Sequence, residues 1–320
     1  MKDKITIIIP CYNEQETIPI FISEMDKVYN HMQKSYDIEM EYLFVDDGSK
    51  DKTLSVMKEA AEKYSHVNYI SFSRNFGKEA AMFAGLENAD GDYVVIIDVD
   101  LQDPPELVEE MYTTIKNSDY DCVASRRVTR TGESKIRSFF ARMFYRMIGK
   151  ISKTNIVDGA RDFRMMTRQM VDSIVSLREY NRFSKGIFQW VGFNTQWIAF
   201  ENRNRVAGTT KWSFWGLLVY AIDGIVAFST APLALSSIIG ILFCIIAFIM
   251  ILFIIFRTLI FGDSVSGWPS LVCIICFATG IQLFCNGITG LYMSKTYSEV
   301  KKRPQYIIKT QSKDNKNNNN

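Results

Sequence analysis

Two long runs without a single charged residue, Ala231 to Phe256 and Trp268 to Met293, limit what this chain can become. At about 1.5 Å per helical residue, each is long enough to cross a hydrocarbon layer of about 30 Å. Buried helices of a water-soluble domain are rarely so long and so clean. The runs therefore predict two membrane spans, 231–256 and 268–293. The link between them carries only Arg257 and Asp263. Arg203, Arg205 and Lys211 precede the first span, and Lys295, Lys301, Lys302, Arg303 and Lys309 follow the second. Positive charge collects on the cytoplasmic side, so a multi-pass protein with both termini in the cytoplasm is expected. Trp212, Trp215 and Tyr220 on one side, and Trp268 on the other, suit interfacial anchoring. A cytoplasmic tail, 294–320, ends in an Asn- and Lys-rich stretch from Gln311 that reads as disordered.

The residues before the spans have a different pattern. Ile5-Thr-Ile-Ile-Ile9 is continuous and β-branched, the signature of a strand buried on both faces. Further strands are expected at 39–45, 67–71, 92–97 and 121–125, alternating with amphipathic helices. That alternation predicts an α/β domain over 1–212 with a mostly parallel sheet covered on both faces. No GxGxxG follows the first strand, which argues against a dinucleotide site. A net charge of +2 gives no footprint for nucleic acid. The six cysteines lie in strands or apolar runs and read as free thiols. Cys273-x-x-Cys276 has no second pair or histidine near it in sequence. His31 and His66 are isolated and read as structural or surface groups. Lys2, Asp3 and Lys4 lead straight into the first strand, so no signal peptide is expected.

Three polar clusters stand at predicted strand ends: Asn13-Glu14, Asp46-Asp47 and Asp98-x-Asp100-x-Gln102. The carboxyl ends of parallel strands share one edge, where open α/β sheets bind ligands. Together the clusters make a polar crevice for hydroxyls, a base and a metal-bound phosphate. Two carboxylates at i and i+2, with an amide two residues on, offer oxygen ligands to a hard divalent cation. Pro104-Pro105 ends the fourth strand and lets a helix start near Glu106. Over 135–150, Lys135, Arg137, Arg142, Arg146 and Lys150 interleave at helical spacing with Ile136, Phe139, Phe140, Met143, Phe144, Met147 and Ile148. Such a helix suits the surface of an anionic membrane, and a juxtamembrane helix is expected over 213–230.

Pro10-Cys-Tyr-Asn-Glu14, Val45-Asp-Asp-Gly-Ser49, Ser73-Arg-Asn-Phe-Gly-Lys78 and Asp98-Val-Asp-Leu-Gln-Asp-Pro-Pro105 resemble motifs of family 2 glycosyltransferases of the GT-A fold. Over about residues 4 to 300 the chain resembles polyisoprenyl-phosphate glycosyltransferases, the group of bactoprenol glucosyltransferases and dolichol-phosphate mannose synthase. Gly159-x-x-Asp162-Phe-Arg164 and Arg205-Val-Ala-Gly-Thr-Thr-Lys211-Trp212 fit that group. The resemblance implies that Pro10, Tyr12 and Glu14 line a nucleotide pocket. Asp46 would contact the base with Asp47 nearby, and Lys78 and Asp98 would hold the nucleotide and ribose. Asp98, Asp100 and Gln102 would hold Mg²⁺ or Mn²⁺ on the diphosphate. Asp162 matches the acid assigned to catalysis, although Asp158-Gly-Ala-Arg-Asp162 leaves Asp158 as an alternative. Arg205, Lys211 and Arg164 would supply cations near the sugar and the acceptor phosphate.

The expected activity is inverting transfer of a hexose such as glucose from a UDP-sugar to undecaprenyl phosphate at the cytoplasmic leaflet. A long polyprenyl chain holds the acceptor in the bilayer, because each buried CH₂ is worth about 0.8 kcal/mol. Association of copies through the spans is compatible with this arrangement. A processive polysaccharide synthase would share the donor motifs, but two spans are too few for a polymer channel and no Gln-x-x-Arg-Trp is present. A non-catalytic scaffold or lipid carrier would have no need of Asp98, Asp100, Gln102, Asp162, Arg205 and Lys211 together.

Overall fold

A computed structural model describes residues 2–127, 159–200, 222–261 and 267–312. The helix expected over 135–150, Asp158, Arg205, Lys211 and the tryptophans at 212 and 215 lie outside these residues. The elements are β1 (Asp3–Cys11), α1 (Thr17–Ser35), β2 (Ile38–Asp46), α2 (Thr53–Lys63), β3 (Val67–Phe72), α3 (Lys78–Asn88), β4 (Tyr93–Ile96) and α4 (Leu107–Lys116). They continue as β5 (Cys122–Arg127), β6 (Ala160–Thr167), α5 (Arg168–Ser176), α6 (Ser184–Trp190) and β7 (Thr195–Phe200). A short helix, α7 (222–228), then leads to α8 (Ala231–Phe261), α9 (Trp268–Val300) and β8 (Ile308–Gln311).

The eight strands among the described residues form one sheet in the order β7-β5-β6-β4-β1-β2-β3-β8. Its centre, β4-β1-β2-β3, is parallel, as the alternating strands and helices require. The sheet is mostly parallel, as expected, and its antiparallel strands lie on the flanks. β6 enters between β4 and β5 and runs antiparallel to both. β8 runs antiparallel to β3 along the other edge. The period of two along β1 sorts its side chains between the faces. Ile5, Ile7 and Ile9 join one core layer with Phe21 and Met25 of α1 and Val108 and Met111 of α4. Ile8 points into the other, with Ala81, Ala84 and Leu86 of α3 and Met170 and Ile174 of α5. Gly85 permits that closeness, since a Cβ there would sit 2.2 Å from Ile8 Cγ2.

Cys11 and Cys122 are buried free thiols, and Cys244 and Cys285 are also unpaired, as expected. His66 is structural: it bonds Asp26 at 3.1 Å and packs among Tyr29, Tyr42 and Tyr64.

Within α8, Ala231–Met250 is long and apolar enough to cross a membrane, with mean hydropathy 2.8 and no part of it buried in the protein. Among the described residues no other helix meets that measure; α9 is uncharged as far as Met293 but more polar on average. The far end of α9 is tied to the α/β domain. Glu299 accepts hydrogen bonds from the backbone N–H groups of Tyr180 (2.8 Å) and Asn181 (3.2 Å). Lys295 reaches Asn181 Oδ1 at 2.9 Å and Asp223 at 2.6 Å. The following segment is ordered onto the sheet rather than trailing into solvent. Tyr306 stacks on Phe72 at 5.0 Å and donates to Glu87 at 2.6 Å, and Ser312 Oγ takes the N–H of Tyr69 at 3.1 Å. β3 is buried along its whole length, so its edge needs a partner, and β8 supplies one.

Candidate active site

The polar clusters at the ends of β1, β2 and β4 meet at one sheet edge, as their strand ends predict. Much of the polarity there builds the crevice itself. Asn13 adopts a left-handed backbone (φ 53°) and folds its loop onto the next one. Its N–H donates to Ser49 Oγ at 2.9 Å, and its Oδ1 accepts from the Lys50 N–H at 2.8 Å. The Glu14 N–H donates to Thr53 Oγ1 at 2.8 Å, while its carboxylate accepts from Thr17 Oγ1 at 2.9 Å. Pro10 and Tyr12 are half-buried beside this clasp.

Asp46 and Asp47 are turned inward and hold the loops that frame the crevice. Asp46 is 1% exposed and accepts from the Ser49 N–H (2.9 Å) and Ser71 Oγ (2.7 Å). Asp47 takes the N–H groups of Phe76 (2.6 Å) and Gly77 (2.9 Å). Burial pushes the Asp47 carboxyl up to about 6, against the opposing pull of those two N–H donors. The β3–α3 loop is thereby pulled against Gly48, where a Cβ would lie 2.3 Å from the Arg74 carbonyl carbon. Gly48 has φ 65°, so the turn and the close approach both require glycine.

The turn after β4 carries the acids. Leu101 is left-handed (φ 55°), a costly state for a branched residue, and the Gln102 N–H donates to Asp100 Oδ1 at 3.2 Å. Asp103 anchors the turn through a two-pronged pair with Arg161, at 3.0 and 3.2 Å. Burial raises the Asp103 carboxyl to about 6, although Arg161 opposes the shift. Sequence reasoning gave Asp103 and Arg161 no role; an acid directly before Pro104-Pro105 was the available signal. Asp98, Asp100 and Gln102 offer hard oxygen donors, and the residues fit Mg²⁺ or Mn²⁺ in type. Among the described residues no three His, Cys, Asp or Glu side chains converge on one point. The rest of a coordination shell would thus come from donor phosphates and water, as is usual for Mg²⁺.

β6 brings the second acid. Its antiparallel register pairs Ile96 with Arg164, and two further steps set Asp98 opposite Asp162. Lys78, at the start of α3, bridges them: its ammonium lies 2.7 and 3.0 Å from the two oxygens of Asp98 and 2.7 Å from Asp162. Burial would raise the Asp162 carboxyl, but Lys78, then Lys185 and Arg164, outweigh it and hold it well below the usual carboxylate range. The same carboxylates raise the Lys78 ammonium despite its burial. Arg164, expected near the acceptor phosphate, lies deep beside these acids. It is 1% exposed, donates to the carbonyls of Arg161 (2.8 Å) and Asp162 (3.3 Å), and stacks on Phe188 of α6 at 3.8 Å.

A doubly covered α/β sheet with paired carboxylates at its carboxyl edge defines a protein with a polar crevice at that edge. The chain belongs to glycosyl transferase family 2, whose family model matches residues 6–175. A prophage bactoprenol glucosyl transferase homolog of Escherichia coli (strain K12) is 41% identical over 309 residues, covering 96% of this chain and 98% of that one. An SfII prophage-derived bactoprenol glucosyl transferase of Shigella flexneri is 40% identical over 312 residues, covering 98% and 99%. Among solved structures, glucosyl-3-phosphoglycerate synthase from Mycobacterium tuberculosis is 17% identical with a TM-score of 0.46, over 70% of this chain and 78% of that one.

Proposed function

We propose that the protein transfers a hexose, glucose in the first instance, from a UDP-sugar to undecaprenyl phosphate at the cytoplasmic face of the membrane. The observation that carries the reading is the placement of Asp162 opposite Asp98, bridged by Lys78, beside Asp100 and Gln102. The names of the two full-length relatives supply the acceptor class. A phosphate monoester has a second pKa of about 6, so at neutral pH it is already a charged nucleophile and needs no strong base. One of its oxygens forms the bond to the anomeric carbon as the bond to the diphosphate breaks, and the electron pair leaves on the diphosphate. A single displacement of this kind inverts the anomeric centre. Mg²⁺ or Mn²⁺, held by Asp100 and Gln102 with Asp98, would offset charge on the diphosphate. Asp162, kept ionised by Lys78, orients the cations around the acceptor rather than removing a proton.

α8 supports membrane attachment, and β8 supports a second crossing. β8 pairs with the same sheet that precedes α8, so a chain that leaves through α8 has to return through α9. The test is incubation of the purified full-length protein with undecaprenyl phosphate and a panel of sugar nucleotides, followed by mass analysis of the extracted lipid. One hexose on the lipid phosphate, formed from a UDP-sugar, is expected. A long glycan chain, or no lipid-linked sugar with any donor, would overturn the reading.

A further inference from the structure

The crevice is rich in cations that are already committed. An ammonium has three donors, and the three short contacts of Lys78 to Asp98 and Asp162 use them all. Arg161 is spent on Asp103, and Arg164 on backbone carbonyls and the Phe188 ring. Lys185 is different. It is half-exposed, its charge acts on Asp162, and it takes part in no hydrogen bond or ion pair with the described residues.

Its position is built with care. Lys185 is the second residue of α6, and Ser184 before it is held by the half-buried carboxylate of Glu79, which accepts from both the Ser184 N–H (3.0 Å) and its hydroxyl. Glu79 is the neighbour of Lys78, so the same turn of α3 fixes Asp162 and the start of α6. Phe188, one turn further, rests against Arg164. The opposite side of α6 meets the membrane-proximal elements. A Cβ at Gly186 would lie 2.4 Å from the Phe228 ring of α7, and Phe183 packs on the same ring at 6.0 Å. The residues just before α6, Tyr180 and Asn181, are the ones held by Glu299 and Lys295 of α9. α6 thus forms the wall between the paired acids and the helices that lead to the membrane.

We propose that Lys185 receives the phosphate of the lipid acceptor as it enters from the membrane side, next to Asp162. The inference rests on the acceptor class given above. Lys185 donates hydrogen bonds to two phosphate oxygens while the third attacks; it neither gains nor loses a proton. It also offsets the repulsion between the incoming phosphate and the donor's diphosphate. Glu79 and Arg164 act as positioning residues that hold α6 in place.

The test uses the full-length protein in detergent, with farnesyl phosphate as the binding probe, farnesol as its uncharged control, and Lys185→Ala and Lys185→Arg variants. Wild type should bind farnesyl phosphate and not farnesol. Lys185→Ala should weaken that binding by about tenfold or more, with the affinity for UDP and the melting temperature unchanged, and Lys185→Arg should recover most of it. In turnover, the loss should fall on the KM for the lipid phosphate and leave the KM for the donor alone. Equal binding by wild type and Lys185→Ala would overturn the assignment while leaving the transferase reading intact. Lys185-dependent binding without turnover for any sugar nucleotide would uphold the phosphate site and sink the transferase reading. No binding of farnesyl phosphate by wild type would overturn both.

Discussion

Asp162 shows how much a single carboxylate depends on its surroundings here. It sits opposite Asp98, and two like charges that close are tolerable only because Lys78 stands between them. Asp162→Asn keeps the shape but releases one arm of Lys78. Transfer should fall on the order of 10²-fold, the scale of a misplaced reacting group, with little change in melting temperature; a variant of wild-type rate would remove Asp162 from the machinery. Asp47 carries a different prediction. Its carboxyl rises from the ordinary 3.8 to about 6 in the folded protein. The stability it contributes is therefore complete below pH 3.8 and lost as pH climbs through 6, a difference of at most about 3 kcal/mol. Asp47→Asn cannot ionise, so its melting temperature relative to wild type should climb between pH 4 and 6 and level off above 7. A flat difference across that range would show that Asp47 titrates as an ordinary surface acid.

At the scale of elements, the sequence was informative where periodicity and strand ends coincide. The parallel core and its three polar strand ends were legible because β-branched runs stop abruptly at acids and turn residues. β6 was not, since 160–167 mixes Arg161, Asp162 and Arg164 with apolar residues and reads as a charged motif instead of a strand. Without its antiparallel entry, the juxtaposition of Asp162 with Asp98 could not be derived from spacing, and the burial of Arg164 was equally hidden. β8 was obscured by the Lys- and Asn-rich residues on either side, although Tyr306 and Ile308 supply the apolar contacts that seat it. Packing at the sheet's centre yields a direct test. Gly85→Ala drives a methyl into Ile8, which is buried and branched, and should cost about 1–3 kcal/mol. Ile8→Ala removes the clashing group, so the double variant should be less destabilised than the two single costs added together. Simple additivity in thermal or denaturant unfolding would mean that α3 does not press on β1 as described.

On the scale of the whole molecule, the catalytic edge and the apolar helices are joined at two places. α7 abuts α6 through Phe228, and α9 returns through Glu299, Lys295 and the strap of Tyr306 and β8. Under the proposed function, this double attachment would hold the crevice at a fixed height above the membrane surface and bring the phosphate of an embedded acceptor to α6. Under the same proposal it also sets the expected topology. The sheet contains strands from before α8 and after α9, and a single sheet lies on one side of a membrane. Residue 263, between the helices, should then face the opposite compartment from residue 313. In a cysteine-free background, Asp263→Cys should react with a membrane-impermeant maleimide in intact cells, and Lys313→Cys only after permeabilisation. Labelling of both sites in intact cells, or of neither, would show that α8 and α9 do not form a spanning hairpin. Tyr306→Ala tests the strap separately: losing the Phe72 stack and the Glu87 bond should lower stability by about 2–3 kcal/mol. If the strap also sets the height of the crevice, the same variant should lose more activity on membrane-embedded undecaprenyl phosphate than on detergent-dispersed farnesyl phosphate. Equal losses on the two acceptors would confine β8 to holding the sheet together.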